Sequence, residues 1–364
     1  MSTSLNRKGG SPLTIGSGHR TRVMALIGCS HTRDLAEQIR KLDALATHPS
    51  PPAIVADLSI VGRGELLSEI ADRGFVSSAL PVYAVTRRAS RISDGELLDQ
   101  AVRQMELGAG ILTIHPTPTR ELVELSRRRL VPWTSRGGGL VIDDLLASDQ
   151  AENAYLRILP ELLDHACRTG TVLSIGATFR SANIFDALDA VQEAELSAQL
   201  ALAESFRRSN VAAIIESPGH ARPRDIIRVA GLLSHSGFPV MPLGPIPTDI
   251  AVGQDHIAAS IGATLMGLHG AAHILAAVTR EEHTGGIPTI SSTIEALEAA
   301  SVAAHIIDID ALDDTSDDFR IVAARAEKAT CIGDKATQGC SRCADTCPLI
   351  RAREARRPFP LNDR

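Results

Sequence analysis

Eight short runs rich in β-branched and other apolar residues recur at 21–28, 53–59, 80–85, 110–115, 131–136, 172–177, 212–217 and 239–245. Segments with helical spacing and start signals separate them, most clearly 31–46, 95–109, 186–210 and 222–236. Strands that are apolar throughout, rather than alternating, are buried on both faces, as in a parallel sheet wrapped in helices. Eight βα units between residues 21 and 277 suit a TIM (β/α)8 barrel, whose usual size is roughly 250 residues. A doubly wound open sheet is the competing arrangement. Against it, the first strand-to-helix turn, I-G-C-S-H-T-R (27–33), lacks G-x-G-x-x-G, and no G-x-x-x-x-G-K-S/T occurs anywhere. The expected fold class is therefore α/β, a TIM barrel over residues 21–300.

The ends read differently. Residues 1–20 are rich in Gly, Ser and Thr without an apolar period, which predicts a flexible or partner-dependent arm. Beyond residue 300 an acidic stretch (306–318), a helical stretch (319–330), a cysteine cluster and an Arg-rich tail suggest a separate helical module over 301–364. The net charge of −6 argues against a nucleic-acid partner. No continuous apolar run reaches the ~18 residues of a membrane span, and the first residues lack a signal-peptide core. A cytoplasmic protein with no membrane partner is the expectation.

Four of the six cysteines, Cys331, Cys340, Cys343 and Cys347, fall close together near the C-terminus, a distribution unlike a secreted disulfide framework. The run C-S-R-C-A-D-T-C-P (340–348) places three thiolates on one tight loop. That spacing suits three irons of a 4Fe-4S cluster, with the fourth iron open. A zinc site completed by Cys331 and the tail of a ferredoxin-type ligand set (C-x2-C-x3-C-P) are the alternatives on spacing alone.

In a barrel, reactive groups come from the C-terminal ends of strands and the loops beyond them. Those positions hold Asp57 with Ser59, Tyr83, His115, Ser135 with Arg136, Arg180, Glu216 with His220, and Thr248 with Asp249. Arg136 and Arg180 suit a phosphate, and the run S-R-G-G-G (135–139) allows close approach of backbone N–H groups. A small phosphorylated substrate follows. Glu216 could orient a ribose hydroxyl, act as a base or form a structural ion pair. His220 and His283 are candidates for a metal, whereas His256, His269 and His273 read as residues satisfied within an apolar helix.

Taken in order, A-D-L-S (56–59), L-P-V-Y (80–83), T-I-H (113–115), S-R-G-G (135–138), I-E-S-P-G-H (215–220), L-G-P-I-P-T-D-I-A-V-G-Q-D-H-I (243–257), V-T-R-E-E-H (278–283) and the cysteine run resemble the blocks of the phosphomethylpyrimidine synthase (ThiC) family. This is an atypical radical S-adenosylmethionine group that also includes 5-hydroxybenzimidazole synthases. The resemblance covers about residues 21–350. It implies a TIM barrel with a small C-terminal iron-sulfur module, in a homodimer supplied by an electron donor. It also implies a carbon-carbon lyase in thiamine biosynthesis that converts 5-aminoimidazole ribotide to 4-amino-5-hydroxymethyl-2-methylpyrimidine phosphate, or, in the cobamide branch, to 5-hydroxybenzimidazole. By position, Tyr83, His115, Ser135, Arg136, Gly137, Arg180 and Glu216 resemble the ribotide-binding residues. His220 and His283 resemble zinc ligands, and Cys340, Cys343 and Cys347 resemble the ligands of the 4Fe-4S cluster that binds S-adenosylmethionine, leaving Cys331 a spectator.

Four positions depart from the family pattern. Leu26 stands where the family has Asn, Ala56 where it has Met, Ala177 where it has Asp, and Met241 where it has Tyr. The phosphate end and the cysteines are retained while contacts to ring or ribose change. This pattern implies a divergent paralogue with a changed substrate, or one that binds a phosphorylated ligand and a metal without catalysis.

Overall fold

The computed structural model describes residues 2–85, 91–332, 342–343 and 346–355, so Cys340 lies outside the described residues. It divides into two units, Met1–Leu312 and Asp313–Arg364. Ten strands belong to the first unit: β1 (Ser2–Leu5), β2 (Leu13–Gly16), β3 (Arg22–Ile27), β4 (Ile54–Asp57), β5 (Val76–Ala79), β6 (Ala109–Ile114), β7 (Val172–Ile175), β8 (Ala213–Glu216), β9 (Val240–Met241) and β10 (Ile274–Ala277). Strands β3 to β10 make one parallel sheet in the order β10-β3-β4-β5-β6-β7-β8-β9. His273 closes it: its backbone N–H donates to the Val240 carbonyl at 2.9 Å, and its Nδ1 accepts from Val240 N–H at 2.9 Å. Burial pushes this imidazole down to about 4, which keeps Nδ1 an acceptor at neutral pH. The expected TIM-barrel architecture is therefore present, with the strands wrapped by helices.

Period-two alternation sorts each strand between lumen and helix layer. Met24, Ile54, Ala56, Val76, Ile111, Val172, Ile214, Met241, Ile274 and Ala276 form one interior cluster. Their neighbours Val23, Ala25, Ile27, Val55, Leu275 and Ala277 pack outward against helical residues such as Leu42 and Leu297.

Several sequence expectations are corrected. Residues 80–85 are not a strand; β5 lies just before them and Pro81–Val85 is a short helix. Pro81 explains the change, because it lacks the N–H a ladder needs and suits the first position of a helix. Residues 131–136 are not a strand either; Pro132 interrupts them, and Ser135 caps the helix Arg136–Ala147 by accepting from Gly138 N–H at 3.1 Å. The eighth barrel strand is instead β10, which the sequence reading merged with the apolar helix before it.

The N-terminal arm, expected to be flexible, is an antiparallel hairpin of β1 and β2. Leu5 and Ile15 are fully buried within the lumen cluster. Asn6 Nδ2 donates to the carbonyls of Thr169 and Gly170 just before β7, so the hairpin covers the N-terminal end of the barrel. The boundary expected at residue 300 falls inside the helix Ile290–Leu312. By length and composition that helix is apolar enough to cross a membrane, although Glu295, Glu298 and Asp308 interrupt it, so it holds no continuous apolar run of that length. Its Ala296, Leu297, Ala300, Ala303, Ala304 and Ile307 are buried against β3, β10 and the first helices, as expected for a helix of the barrel's outer ring. In the second unit the helices Ser316–Lys328 and Pro348–Ala355 are described.

Because Leu5 is buried in the lumen cluster, Leu5→Ala should lower the unfolding free energy by about 2–5 kcal/mol in a denaturant titration. A change below about 0.5 kcal/mol would mean that the hairpin contributes nothing to the core.

Candidate active site

A cavity of about 460 Å³ opens at the C-terminal ends of the barrel strands. Tyr83, His115, Ser135, Arg136, Arg180, Glu216, His220 and His283 all line it, so these residues, scattered through the sequence, share one space. Gly137 adjoins it beneath the His115 ring, where a Cβ would lie 2.5 Å from Cε1. A Cβ on Gly176 would lie 2.6 Å from Nε2 of the same ring. Two glycines therefore define the slot that holds His115.

His115 Nε2 lies 3.1 Å from Ser135 Oγ, which also accepts the Gly138 N–H. This arrangement favours Nε2 as acceptor of the Ser135 hydroxyl hydrogen, leaving the N–H on Nδ1. Nδ1 is buried and has no hydrogen-bond partner among the described residues. Burial, reinforced by the Arg180 charge, pushes the imidazole down to about 3, so the ring is neutral at ordinary pH. Glu216 is 4% exposed, and its Oε1 accepts from Thr113 Oγ1 at 3.2 Å and Ser174 Oγ at 3.0 Å. Burial raises its carboxyl, while Arg180 and the two hydroxyls act in the opposite direction. Gln199, from the helix Ala190–Arg208, donates to the carbonyls of Ile175 and Glu216 and ties β7 to β8.

The cationic part of the cavity has two sources. Arg136 begins the helix Arg136–Ala147, and its guanidinium sits 5.2 Å from the centroid of the Tyr83 ring. Burial raises the Tyr83 hydroxyl, against the pull of Arg136 and Arg180. Arg180 donates from Nη1 to the Ala177 carbonyl at 3.1 Å. Its loop is held by Glu195, which sequence reasoning missed. One Glu195 oxygen accepts from Thr117 Oγ1 at 2.6 Å and Thr178 N–H at 2.8 Å; the other accepts from Phe179 N–H at 2.7 Å. Burial pushes the Glu195 carboxyl up to about 7. Two guanidiniums beside a helix N-terminus can hold an anion such as phosphate.

His220 and His283 meet at the rim, with Nε2 atoms 3.1 Å apart and ring planes at 77°. Each Nδ1 faces a carboxylate, His220 with Asp249 at 2.6 Å and His283 with Asp255 at 2.5 Å. A carboxylate fixes the proton on Nδ1, so the two Nε2 lone pairs converge on one point. A proton or a cation between them relieves that repulsion, and the donor set suits a metal such as zinc. Among the described residues no group of three or more His, Cys, Asp or Glu side chains surrounds a metal position, so the pair supplies two ligands only.

Other candidates lie elsewhere. Alternation turns Ala56 into the lumen and Asp57 away from it, so Asp57 and Ser59 line a separate depression of about 130 Å³ with Cys29 and Glu65. Thr248 lines a neighbouring depression that shares His220 and His283 with the main cavity. His256 is helical as expected, but His269 follows its helix and His273 closes the barrel. Thr113, Ser181 and Glu282 line the cavity without having been singled out. Period two links Thr113 to His115, and Glu282 adjoins His283, so both carried a sequence signal. In the C-terminal unit Cys343 and Cys347 are partly exposed and Cys331 is exposed; none of them forms a disulfide.

The model of the radical SAM ThiC family matches residues 2–338. A phosphomethylpyrimidine synthase of Methanopyrus kandleri is 34% identical, over 82% of this chain and 71% of that protein. Another, of Pyrobaculum aerophilum, is 30% identical over 93% of this chain and 85% of that protein. A third, of Syntrophus aciditrophicus, is 35% identical over 82% of this chain and 72% of that protein.

Between its ordinary value of 6.5 and its folded value of about 3, His115 binds a proton in the unfolded chain but not in the folded one. Stability therefore falls as pH drops through that window, by up to about 1.4 kcal/mol per pH unit from this residue. His115→Asn should flatten the acid side of the stability curve between about pH 6 and pH 4. Denaturant titrations across that range test this, and equal slopes for the two proteins would contradict a neutral buried His115.

Proposed function

The chain belongs to the radical SAM ThiC family, and on that premise we propose that it is a radical S-adenosylmethionine enzyme rearranging 5-aminoimidazole ribotide, or a close phosphorylated analogue, to 4-amino-5-hydroxymethyl-2-methylpyrimidine phosphate for thiamine biosynthesis. The observation that carries this reading is the convergence of Arg136, Arg180, His115, Glu216 and the His220–His283 pair on one cavity.

In this reading Arg136 and Arg180 bind the phosphate, and their fixed charge orients the rest of the molecule toward Glu216. Glu216, held by Thr113 and Ser174, accepts a hydrogen bond from a ribose hydroxyl. His115 stays neutral and donates from Nδ1 rather than exchanging protons with solvent. His220 and His283 hold a divalent cation, proposed as zinc, whose remaining positions are open to substrate or water. Cys340, Cys343 and Cys347 would hold a 4Fe-4S cluster. The two described thiols fit that role, being partly exposed and outside any disulfide. When bound, the cluster supplies the electron that cleaves S-adenosylmethionine to a radical able to abstract hydrogen. That chemistry requires an external electron donor, and a homodimer is proposed on the family pattern.

Anaerobically reconstituted protein should hold about four irons per chain, and Cys343→Ala should lose them. Iron content unchanged in the variant would reject the cluster assignment. Incubation with S-adenosylmethionine, a strong reductant and 5-aminoimidazole ribotide should give deoxyadenosine together with the pyrimidine phosphate by mass spectrometry. At the metal pair, Asp249→Asn should weaken zinc binding by roughly 10–100-fold, while zinc affinity unaltered by either Asp249→Asn or His220→Ala would remove the metal from this site.

A further inference from the structure

The cavity floor has two chemically different halves, and the strand register sets the division. On one half β6, β7 and β8 bring Thr113, Ser174 and Glu216 into the lumen, joined by hydrogen bonds to the Glu216 carboxylate. On the other half β9, β10, β3 and β4 bring Met241, Ala276, Leu26 and Ala56, and the apolar arc ends at Ser78 on β5, which pairs with Ala56. Leu26 pairs with Ala56, and Met241 stands beside Glu216, so the change from polar to apolar occurs in one strand step. No side chain among these four donates a hydrogen bond, and only the Met241 thioether is even a weak acceptor. Ala56 and Ala276 are also short, which leaves room beside Leu26 within the cavity of about 460 Å³.

We propose that the molecule bound here is amphipathic: a phosphorylated heterocycle with its phosphate at Arg136 and Arg180, its hydroxyls toward Glu216, and a hydrocarbon edge against β9, β10, β3 and β4. A fused benzenoid ring or an alkyl-substituted ring meets that description. The inference rests on the proposed phosphate-binding reading of this site and specifies the substrate class within it. A ring whose amino group faces the apolar half gives up its hydrogen bonds to water without replacement, at a cost of roughly tenfold or more in affinity. A hydrocarbon edge in the same place gains by leaving water.

The test compares two ribotides that share ribose 5-phosphate and differ only in the ring, benzimidazole ribotide and 5-aminoimidazole ribotide, by calorimetric titration of the full-length reconstituted protein. Benzimidazole ribotide should bind at least tenfold more tightly. Leu26→Asn should narrow that preference by tenfold or more, and Ala56→Ser, a smaller change, should shift it in the same direction. Equal affinities, or tighter binding of the aminoimidazole, would overturn the inference while leaving the phosphate reading intact. Variants that weaken both ribotides equally would overturn it too. If neither ribotide binds and ribose 5-phosphate gives no signal, the phosphate reading fails and this inference fails with it.

Discussion

In a sheet that closes on itself, each strand residue faces either the lumen or the helix layer. Here the closing contact is a pair of hydrogen bonds between His273 and Val240. With the ladder closed, alternation places Ala56 inside and Asp57 outside, and it sets Thr113 opposite Ser174 and Glu216 opposite Met241. A slip of one residue in any strand would reverse those assignments. The site is therefore a property of register before it is a property of any side chain. The N-terminal hairpin contributes by filling the other end with Leu5 and Ile15, which leaves the cavity open at one end only.

Placing a carboxylate in a lumen is costly unless it is hydrogen-bonded or paired with a charge. Glu216 has both supports, two hydroxyls on Oε1 and the field of Arg180. The same guanidinium acts on His115 in the opposite chemical sense. It opposes burial at Glu216, favouring the charged carboxylate, and adds to burial at His115, favouring the neutral imidazole. One cation thus separates the protonation behaviour of two buried groups. Its position depends on Glu195, whose two oxygens hold the backbone of Thr178 and Phe179 immediately before Arg180. The cationic half of the cavity consequently relies on a carboxylate that does not line it.

Much of this was legible in the sequence because barrel strands are short apolar runs and reactive groups follow them. Strands β3, β4, β7, β8 and β9 lie within runs recognised from composition, and β6 overlaps one. The exceptions have local causes. V-S-S-A in β5 carries two serines that read as loop, yet both are buried and Ser77 Oγ donates to the Gly108 carbonyl. I-L-A-A in β10 continues the apolar composition of the helix Asp255–Gly267, so no pattern marks the change of structure. The cavity residues were recoverable because each lies at or beyond the C-terminal end of a strand, in the connection or first helical turn that follows. Ser174 and Glu195 were not, since an internal serine and a glutamate inside a helix acquire meaning only through partners 42 and 16 or 17 residues away.

The two rim histidines show how a short strand can organise a site. β9 has two residues and lies between β8 and β10, so the loops leaving β8 and β10 approach each other across its end. Backbone bonds from Ile246 N–H to Gly219 and from Ala221 N–H to Ile246 prolong the β8–β9 pairing and bring His220 to the rim. Gly219 permits that approach, because a Cβ there would lie 2.2 Å from the Ser181 carbonyl oxygen. The loop after β9 then supplies Asp249, and the first residue of the next helix supplies Asp255, one carboxylate for each imidazole. Orientation of both rings is fixed by carboxylates from one β9-to-helix connection and the helix residue that ends it, and the two lone pairs face each other across 3.1 Å. A cation captured between them would join the loops after β8 and β10 across the shortest strand of the barrel. Metal binding and completion of the cavity rim would then be parts of one equilibrium, because the two imidazoles that would hold the ion also form the wall.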